Sequence, residues 1–436
     1  MESRRSEILS RLSATDKRLL LAHLLRQKTP LGNATGEKVA PAFIDDAVLD
    51  SDIQPIGPAV CPFTPKAILL TGATGFLGAH LLQELYTRTE AVIYCLVRGR
   101  DAADAQQKLK GNFAQYFAHR LDRERVRLVP GDLAEPRLGL PLETFAILAR
   151  ETDTIFHNGA MLRHLASYAQ LKASNVTSTA AMLQLAATDR PKWLHYVSSI
   201  VAAVDRDDHG SLTEDFPRRA SADLAGGYAQ SKWVSEKLLA QAAERGFGVT
   251  VFRPGFITGR SDTGVWPNPN DHLVRFILGC LQMGHMPVSD LTLDMAPVDF
   301  VAAAIVRIAL SEPTAIPVYN LSNPHPLPWT TLVEWLQSWG YRFEVVSTAA
   351  WRERWLSDID PRNALYPILP LYVGGDTTAQ HAELLRKLAN VRRSRTVEAL
   401  SRLQMAFPAP GHDLWRRYMQ YFEHAGFLRI ESSVGA

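Results

Sequence analysis

Tyr228 and Lys232, in the run Tyr228-Ala229-Gln230-Ser231-Lys232, can do acid–base chemistry if they lie on a helix. Four residues is about one helical turn, so the two side chains share a face. An ammonium beside a phenol favours the phenolate and lowers the tyrosine pKa, which lets the phenol exchange a proton at neutral pH. Earlier in the chain, Ser198 and Ser199 close an apolar run, Trp193-Leu194-His195-Tyr196-Val197, that reads as a strand. A hydroxyl at a strand end can hold a substrate carbonyl oxygen. Serine and tyrosine donors together would stabilise the charge that forms there as hydride adds to the carbonyl carbon. Each piece is common alone, and it gains meaning from what precedes it.

That element is the turn Thr71-Gly72-Ala73-Thr74-Gly75-Phe76-Leu77-Gly78, between an apolar run, Ala67-Ile68-Leu69-Leu70, and a helical pattern, His80-Leu81-Leu82-Gln83-Glu84-Leu85. Glycines at 72, 75 and 78 let the backbone approach a pyrophosphate, and the helix behind them offers free N–H groups and the positive end of its dipole. The spacing is a G-x-x-G-x-x-G variant of the dinucleotide fingerprint, so Thr71, Thr74, Phe76 and Leu77 are expected at the cofactor together with the glycines. In the NAD form of this fingerprint an acidic residue lies about twenty positions further on and meets the ribose 2′-hydroxyl. Here that count lands on Arg98, whose guanidinium suits a 2′-phosphate and so predicts NADPH; a plain surface arginine is the alternative. Asp132 and Leu133, after the next strand pattern, are expected at the adenine edge. Asn158-Gly159-Ala160, after another, are expected along the cofactor path.

The elements that must position these residues alternate. Strand patterns at Val92–Val97, Val126–Val129, Thr154–His157, Trp193–Val197 and Val249–Phe252 follow the first, with helical patterns between them, for example around 175–187 and 231–245. This predicts an α/β, Rossmann-type doubly wound parallel sheet with its ligand at the carboxyl ends of the strands. We divide the chain into an N-terminal helical segment and the start of a linker (1–45), an NADP-binding Rossmann domain with the catalytic residues (46–270), and a smaller, mainly helical C-terminal substrate lobe (271–436). Some segments of that lobe are expected to return to the sheet. The first helix reads equally as a cap on the body or as a docking element for another protein. His157 and His195 fall within strand patterns and read as core histidines.

Composition bounds the rest. The 436 residues are 46% hydrophobic and 21% charged, an ordinary globular balance, and a net charge of +2 gives no field suited to nucleic acid. Three cysteines without C-x-x-C spacing argue against a disulfide framework and a metal site. The N-terminus lacks the apolar stretch of a signal peptide and no apolar run is long enough for a membrane span, so a cytoplasmic, monomeric protein is expected.

The chain resembles an extended short-chain dehydrogenase/reductase, and more narrowly the thioester reductase domains of nonribosomal peptide and polyketide synthases and carboxylic acid reductases. The resemblance is carried by Leu70–Gly78, Leu96-Val97-Arg98, Gly131-Asp132-Leu133, His157–Ala160, Tyr196–Ser199, Gly226–Trp233 and Phe252-Arg253-Pro254-Gly255, and it runs from about residue 45 to the C-terminus. It implies Tyr228 and Lys232 as the catalytic pair and as cofactor contacts, Ser199 as the hydroxyl donor, and Asn175 as an asparagine bracing the lysine through water. It also adds Arg253 and Pro254 to the cofactor contacts. The implied reaction is NADPH-dependent release of an acyl or peptidyl thioester, held on the phosphopantetheine arm of a carrier protein, as an aldehyde that a second reduction can take to an alcohol. No adenylation, condensation or carrier segment is read in the sequence, so a terminal domain or a free-standing reductase is expected. Rival readings are a fatty acyl-CoA, small-carbonyl or sugar-nucleotide enzyme, and a non-catalytic nucleotide-binding scaffold.

Overall fold

Seven apolar runs form the strands of one sheet: β1 Ala67–Thr71, β2 Val92–Val97, β3 Val126–Pro130, β4 Thr154–His157, β5 Trp193–Val197, β6 Val249–Pro254 and β7 Val318–Leu321. Their spatial order is β7-β6-β5-β4-β1-β2-β3, and every pairing is parallel. The computed structural model describes residues 43–428 apart from 59, 62, 164, 219–223, 225, 312–316 and 374–389. The expected N-terminal helix lies outside these residues, and the boundary between the chain's two units falls between Pro41 and Ala42.

Helices cross over between the strands. α1 Phe76–Arg88 follows β1, α2 Ala102–Ala114 follows β2, α3 Leu142–Glu151 leads into β4, α4 Ser178–Ala186 into β5, and α5 Gly226–Glu244 into β6. Alternate residues of each strand enter opposite cores. Leu69, Ile155, Leu194 and Val251 face one core with Met182, Leu183, Trp233 and Leu239 of α4 and α5. Ile68, Leu70, Phe156 and Phe252 face the other with Leu81, Leu82 and Leu85 of α1. Both faces are covered, which is why the strands read as unbroken apolar runs. The chain reverses its direction of winding between β1 and β4, and the carboxyl ends of those two strands form the crevice where such sheets hold ligands.

The C-terminal part contributes to two places. α6 His272–Met283, α8 Trp329–Ser338 and α10 His412–His424 enclose a third core around Trp266, Trp351 and Trp415. Asp271 starts α6 by accepting bonds from the Leu273 and Val274 N–H groups at 2.9 and 3.3 Å, and Gly284, at φ +68°, ends it. By contrast, α7 Val298–Ala309, β7 and α9 Ser394–Arg402 pack on the second core of the sheet. The seventh strand was not among the strand patterns because its four residues stand alone between helical stretches.

Ahead of β1, a strap of residues 43–53 lies along α5. Phe43 packs edge-on against Trp233 at 5.7 Å, and Asp46 binds Tyr168 Oη and Lys172 Nζ, each at 2.7 Å. Gln241 bonds to Ala47 O and Leu49 N, while Arg245 takes the carbonyls of Leu49, Asp50 and Ile53. No helix among the described residues is long and apolar enough to cross a membrane.

Candidate active site

The glycine turn is built by steric exclusion. Gly72 has φ +74°, and a side-chain carbon there would lie 2.8 Å from the Gly159 backbone. One on Gly78 would lie 1.9 Å from Gly72 O, so α1 can pass this close to the turn only with glycine. Gly75 is the N-cap of α1 and has no side chain to bond the first-turn N–H groups, which leaves that helix end bare. Thr71 Oγ1 accepts the Gly159 N–H at 2.9 Å and meets His157 Nδ1 at 2.8 Å, and Asn158 Nδ2 lies 3.4 Å from Gly72 O. The residues expected at the turn and at the end of β4 therefore meet. A bare helix N-terminus beside a side-chain-free backbone fits a dinucleotide pyrophosphate. Asn112, not singled out in the sequence, ties α2 to the turn through Ala73 O and Gly75 O, each at 3.3 Å.

Beyond the turn, Leu133 Cδ1 packs against Gly159, and Asp132 Oδ2 stands 4.0 Å from Arg98 Nη1. The Arg98 side chain is 68% exposed. Two further cations gather beside it. Lys108 bonds Arg98 O at 3.3 Å and Asp104 at 2.8 Å, and Arg100 reaches Asp104 at 3.5 Å. Lys108 escaped the sequence reading because it sits mid-helix, where a lone lysine carries no signal. Thr74 and Leu77 are half-buried, Ala160 is exposed, and Phe76 packs its ring against Tyr116 and His80.

The Ser199 hydroxyl, just past the end of β5, lies beside the Tyr228 phenol in the first turn of α5. Ser198 points elsewhere, into Glu236. The acid–base expectation needs one correction. Lys232 does not lower the Tyr228 pKa here: burial pushes it up to about 12, opposed only by the Ser199 hydroxyl. The buried ammonium is drawn instead to Val197 O at 2.7 Å and Tyr196 Oη at 3.2 Å. Sharing a helical face did not suffice, because a strand-end carbonyl supplied the nearer acceptor. Tyr228 is thus a phenol at neutral pH, able to give a proton. Burial brings Lys232 down to about 7, and the nearby Glu236 works against that fall.

Asn175 lies in a π-helical turn, Ala173–Thr177, just before α4. Its amide clamps both backbone groups of Met161 and bonds Ser231 Oγ at 2.9 Å, so it fastens the loop after β4 to α5. Arg253 also differs from expectation. Its nitrogens bond Glu236, Asn320 and the carbonyls of Thr213 and Asp215, so a fully buried ion pair uses the donors that a cofactor contact would need. Pro254 is buried at the end of β6. His157, between Thr71 and Ser178, and His195, against Phe156, are core residues that burial keeps neutral, each lowered to about 3.

The model of the family described as "Male sterility protein" matches residues 70–305. Over 422 residues the chain is 35% identical to isonitrile lipopeptide synthase of Streptomyces coeruleorubidus, covering 94% of this chain and 28% of that protein. It is 32% identical to a linear gramicidin synthase of Brevibacillus parabrevis, over 93% of this chain and 8% of that one. The terminal R domain from the myxalamid PKS-NRPS biosynthetic pathway superposes with a TM-score of 0.76 at 36% identity, covering 89% of this chain and 98% of that chain. The chain belongs to the thioester reductase domains of the extended short-chain dehydrogenase/reductase family. The reductase domain of a nonribosomal peptide synthetase from Mycobacterium tuberculosis is similar as well, with a TM-score of 0.71 at 26% identity over 88% of this chain and 99% of that one. As a thioester reductase domain the chain is an oxidoreductase with a nicotinamide cofactor, and it spans well under a third of the two synthases it matches.

Proposed function

We propose that this reductase domain releases an acyl or peptidyl group from the phosphopantetheine thioester of a carrier protein as an aldehyde, using NADPH. The observation that carries the reading is the Ser199–Tyr228 hydroxyl pair with Lys232 one turn further on. When bound, the reduced nicotinamide supplies hydride to the thioester carbonyl carbon. Ser199 and Tyr228 hold the carbonyl oxygen, and Tyr228, protonated up to about pH 12, gives it a proton. The same two hydroxyls hold the hemithioacetal; as its carbon–sulfur bond breaks, its hydroxyl proton returns to Tyr228, the aldehyde forms, and the leaving thiolate takes a proton from solvent. Thr71, Gly72, Gly75 and Gly78 would hold the pyrophosphate, and Arg98, with Arg100 and Lys108 beside it, would hold the 2′-phosphate. The synthases named above support a carrier-bound substrate, and free, buried Cys61, Cys95 and Cys280 support a reducing, cytoplasmic setting.

The test offers one acyl group as carrier-protein thioester, coenzyme A thioester and free aldehyde, each with NADPH and with NADH, and follows nicotinamide absorbance and product. We expect the carrier thioester with NADPH to turn over best. Tyr228→Phe should lower turnover by about 10²- to 10⁴-fold with NADPH binding retained. Reduction of the aldehyde but of neither thioester would overturn the release reaction, and undiminished turnover by Tyr228→Phe would overturn the mechanism.

A further inference from the structure

Behind Lys232 lies a cluster of hydroxyls that the reaction as described does not use. Tyr196 on β5 accepts the Lys232 ammonium on its phenol oxygen at 3.2 Å, and that ammonium also lies 4.6 Å from the centre of the Tyr196 ring. The hydroxyls of Ser235 and Thr179 lie beside the same phenol. Thr179 Oγ1 donates to Asn175 O at 2.8 Å, and Ser235 Oγ lies 2.9 Å from both Asn175 O and Ser231 O. Tyr196, Thr179, Ser235 and Asn175 are all at most 1% exposed.

Counting protons fixes the direction of this chain. Each hydroxyl has one hydrogen and two lone pairs. Thr179 and Ser235 each have a backbone carbonyl to donate to, and Thr179 Oγ1 also lies 3.3 Å from Ser235 Oγ, so one of the two can take the single Tyr196 hydrogen on a lone pair. The phenol is left with only lone pairs to turn toward Lys232. It can therefore accept from an ammonium, and burial keeps it from ionising by moving its pKa further up from the ordinary tyrosine value. The other groups around Lys232 agree with a charged lysine. Glu236 on the same helix favours the charge, His157 on β4 is neutral, Val197 O accepts, and Arg253 on β6 is engaged by Glu236.

We propose that Tyr196 is a positioning residue for the reduction: its phenol, oriented by Thr179 and Ser235, holds the Lys232 ammonium in place at the foot of α5. The inference rests on the reductase reading above, in which the charged Lys232 works beside Tyr228 as a cofactor contact. It places the brace on the lysine in the tyrosine of β5, with Asn175 contributing its backbone carbonyl two bonds further back.

The variant that isolates this is Tyr196→Phe in the full chain, since it keeps the ring and removes only the acceptor. Two quantities are read against pH: NADPH affinity without substrate, by nicotinamide fluorescence, and kcat/KM for NADPH. In the parent both should weaken as pH rises through the lysine pKa, about 7 in the cofactor-free chain. Losing a hydrogen bond to the charged form should move both midpoints down by about one pH unit and lower kcat/KM at pH 7.5 about tenfold. A lower melting temperature with unchanged pH midpoints would overturn the proposal, since that is what packing alone predicts. Should Tyr196→Phe not fold, Thr179→Val removes one of the two hydroxyls that orient the phenol. A smaller downward shift then supports the proposal, and none overturns it. If Tyr228→Phe retains full turnover, the reductase reading fails; if it loses turnover while Tyr196→Phe keeps the parent profile, only the present inference fails.

Discussion

The sheet and the C-terminal core are built from different material. The sheet is aliphatic, with Ile, Leu and Val alternating between two faces, and its functional turn depends on residues that lack side chains. The C-terminal core is aromatic, with Trp266, Trp329, Trp351, Trp415, Tyr418 and Phe422 buried at varied angles, such as the tilted pair Trp266–Trp415 with centroids 6.4 Å apart. Strands on a shared ladder hold positions to within a hydrogen bond, which suits a cofactor of fixed shape. Large rings on short helices can fill an irregular volume with few backbone constraints. The difference teaches that the sheet fixes its glycine turn with backbone, while the C-terminal core takes its shape from bulk.

Three substitutions can break that contrast. The largest effect is expected from Gly78→Ala, because the added carbon would lie 1.9 Å from a backbone oxygen that cannot move aside. We expect NADPH affinity to fall by more than about 100-fold, read by fluorescence titration beside circular dichroism. Parent-like affinity would show that the turn does not hold the cofactor. Next is Trp415→Ala in the aromatic core, which should cost about 3–5 kcal/mol of stability in urea unfolding. At a temperature where this variant is folded, its NADPH affinity should stay within about threefold of the parent. A loss as large as that of Gly78→Ala would mean the two regions do not have separate tasks. The smallest effect is expected from Arg98→Ala, an exposed side chain. KM for NADPH should rise about tenfold with KM for NADH nearly unchanged, as loss of one charge-assisted contact implies. An equal rise for both cofactors would remove the 2′-phosphate from its role.

The two regions also differed in how much their sequences disclosed. β1, β2, β4 and β5 were legible to within a residue because strands buried on both faces leave unbroken apolar runs, and glycines at 72, 75 and 78 have few other uses together. Beyond residue 284 the strands are two to four residues long, as at Thr292–Leu293 and Leu327–Pro328, too short for any periodicity to register. Within the site, identity was more legible than partnership. Ser199, Tyr228 and Lys232 stood out by spacing, yet the atoms that Lys232 touches could not be read from it. Tyr196 looked like one more apolar strand residue. Arg253 was drawn toward the cofactor by its place in a motif, when its nearest buried opposite charge lay on the neighbouring helix.

The strap of residues 43–53 has a mechanical meaning. Arg245 alone grips three carbonyls of the strap, at 2.6 to 2.8 Å, and Gln241 grips a fourth together with an amide. A tug on the chain ahead of residue 43 would first meet Phe43 and Asp46, and then these bonds loaded side by side, before it reached β1. Tension arriving from that direction would be borne by the C-terminal end of α5, which makes the strap a strain relief for the sheet.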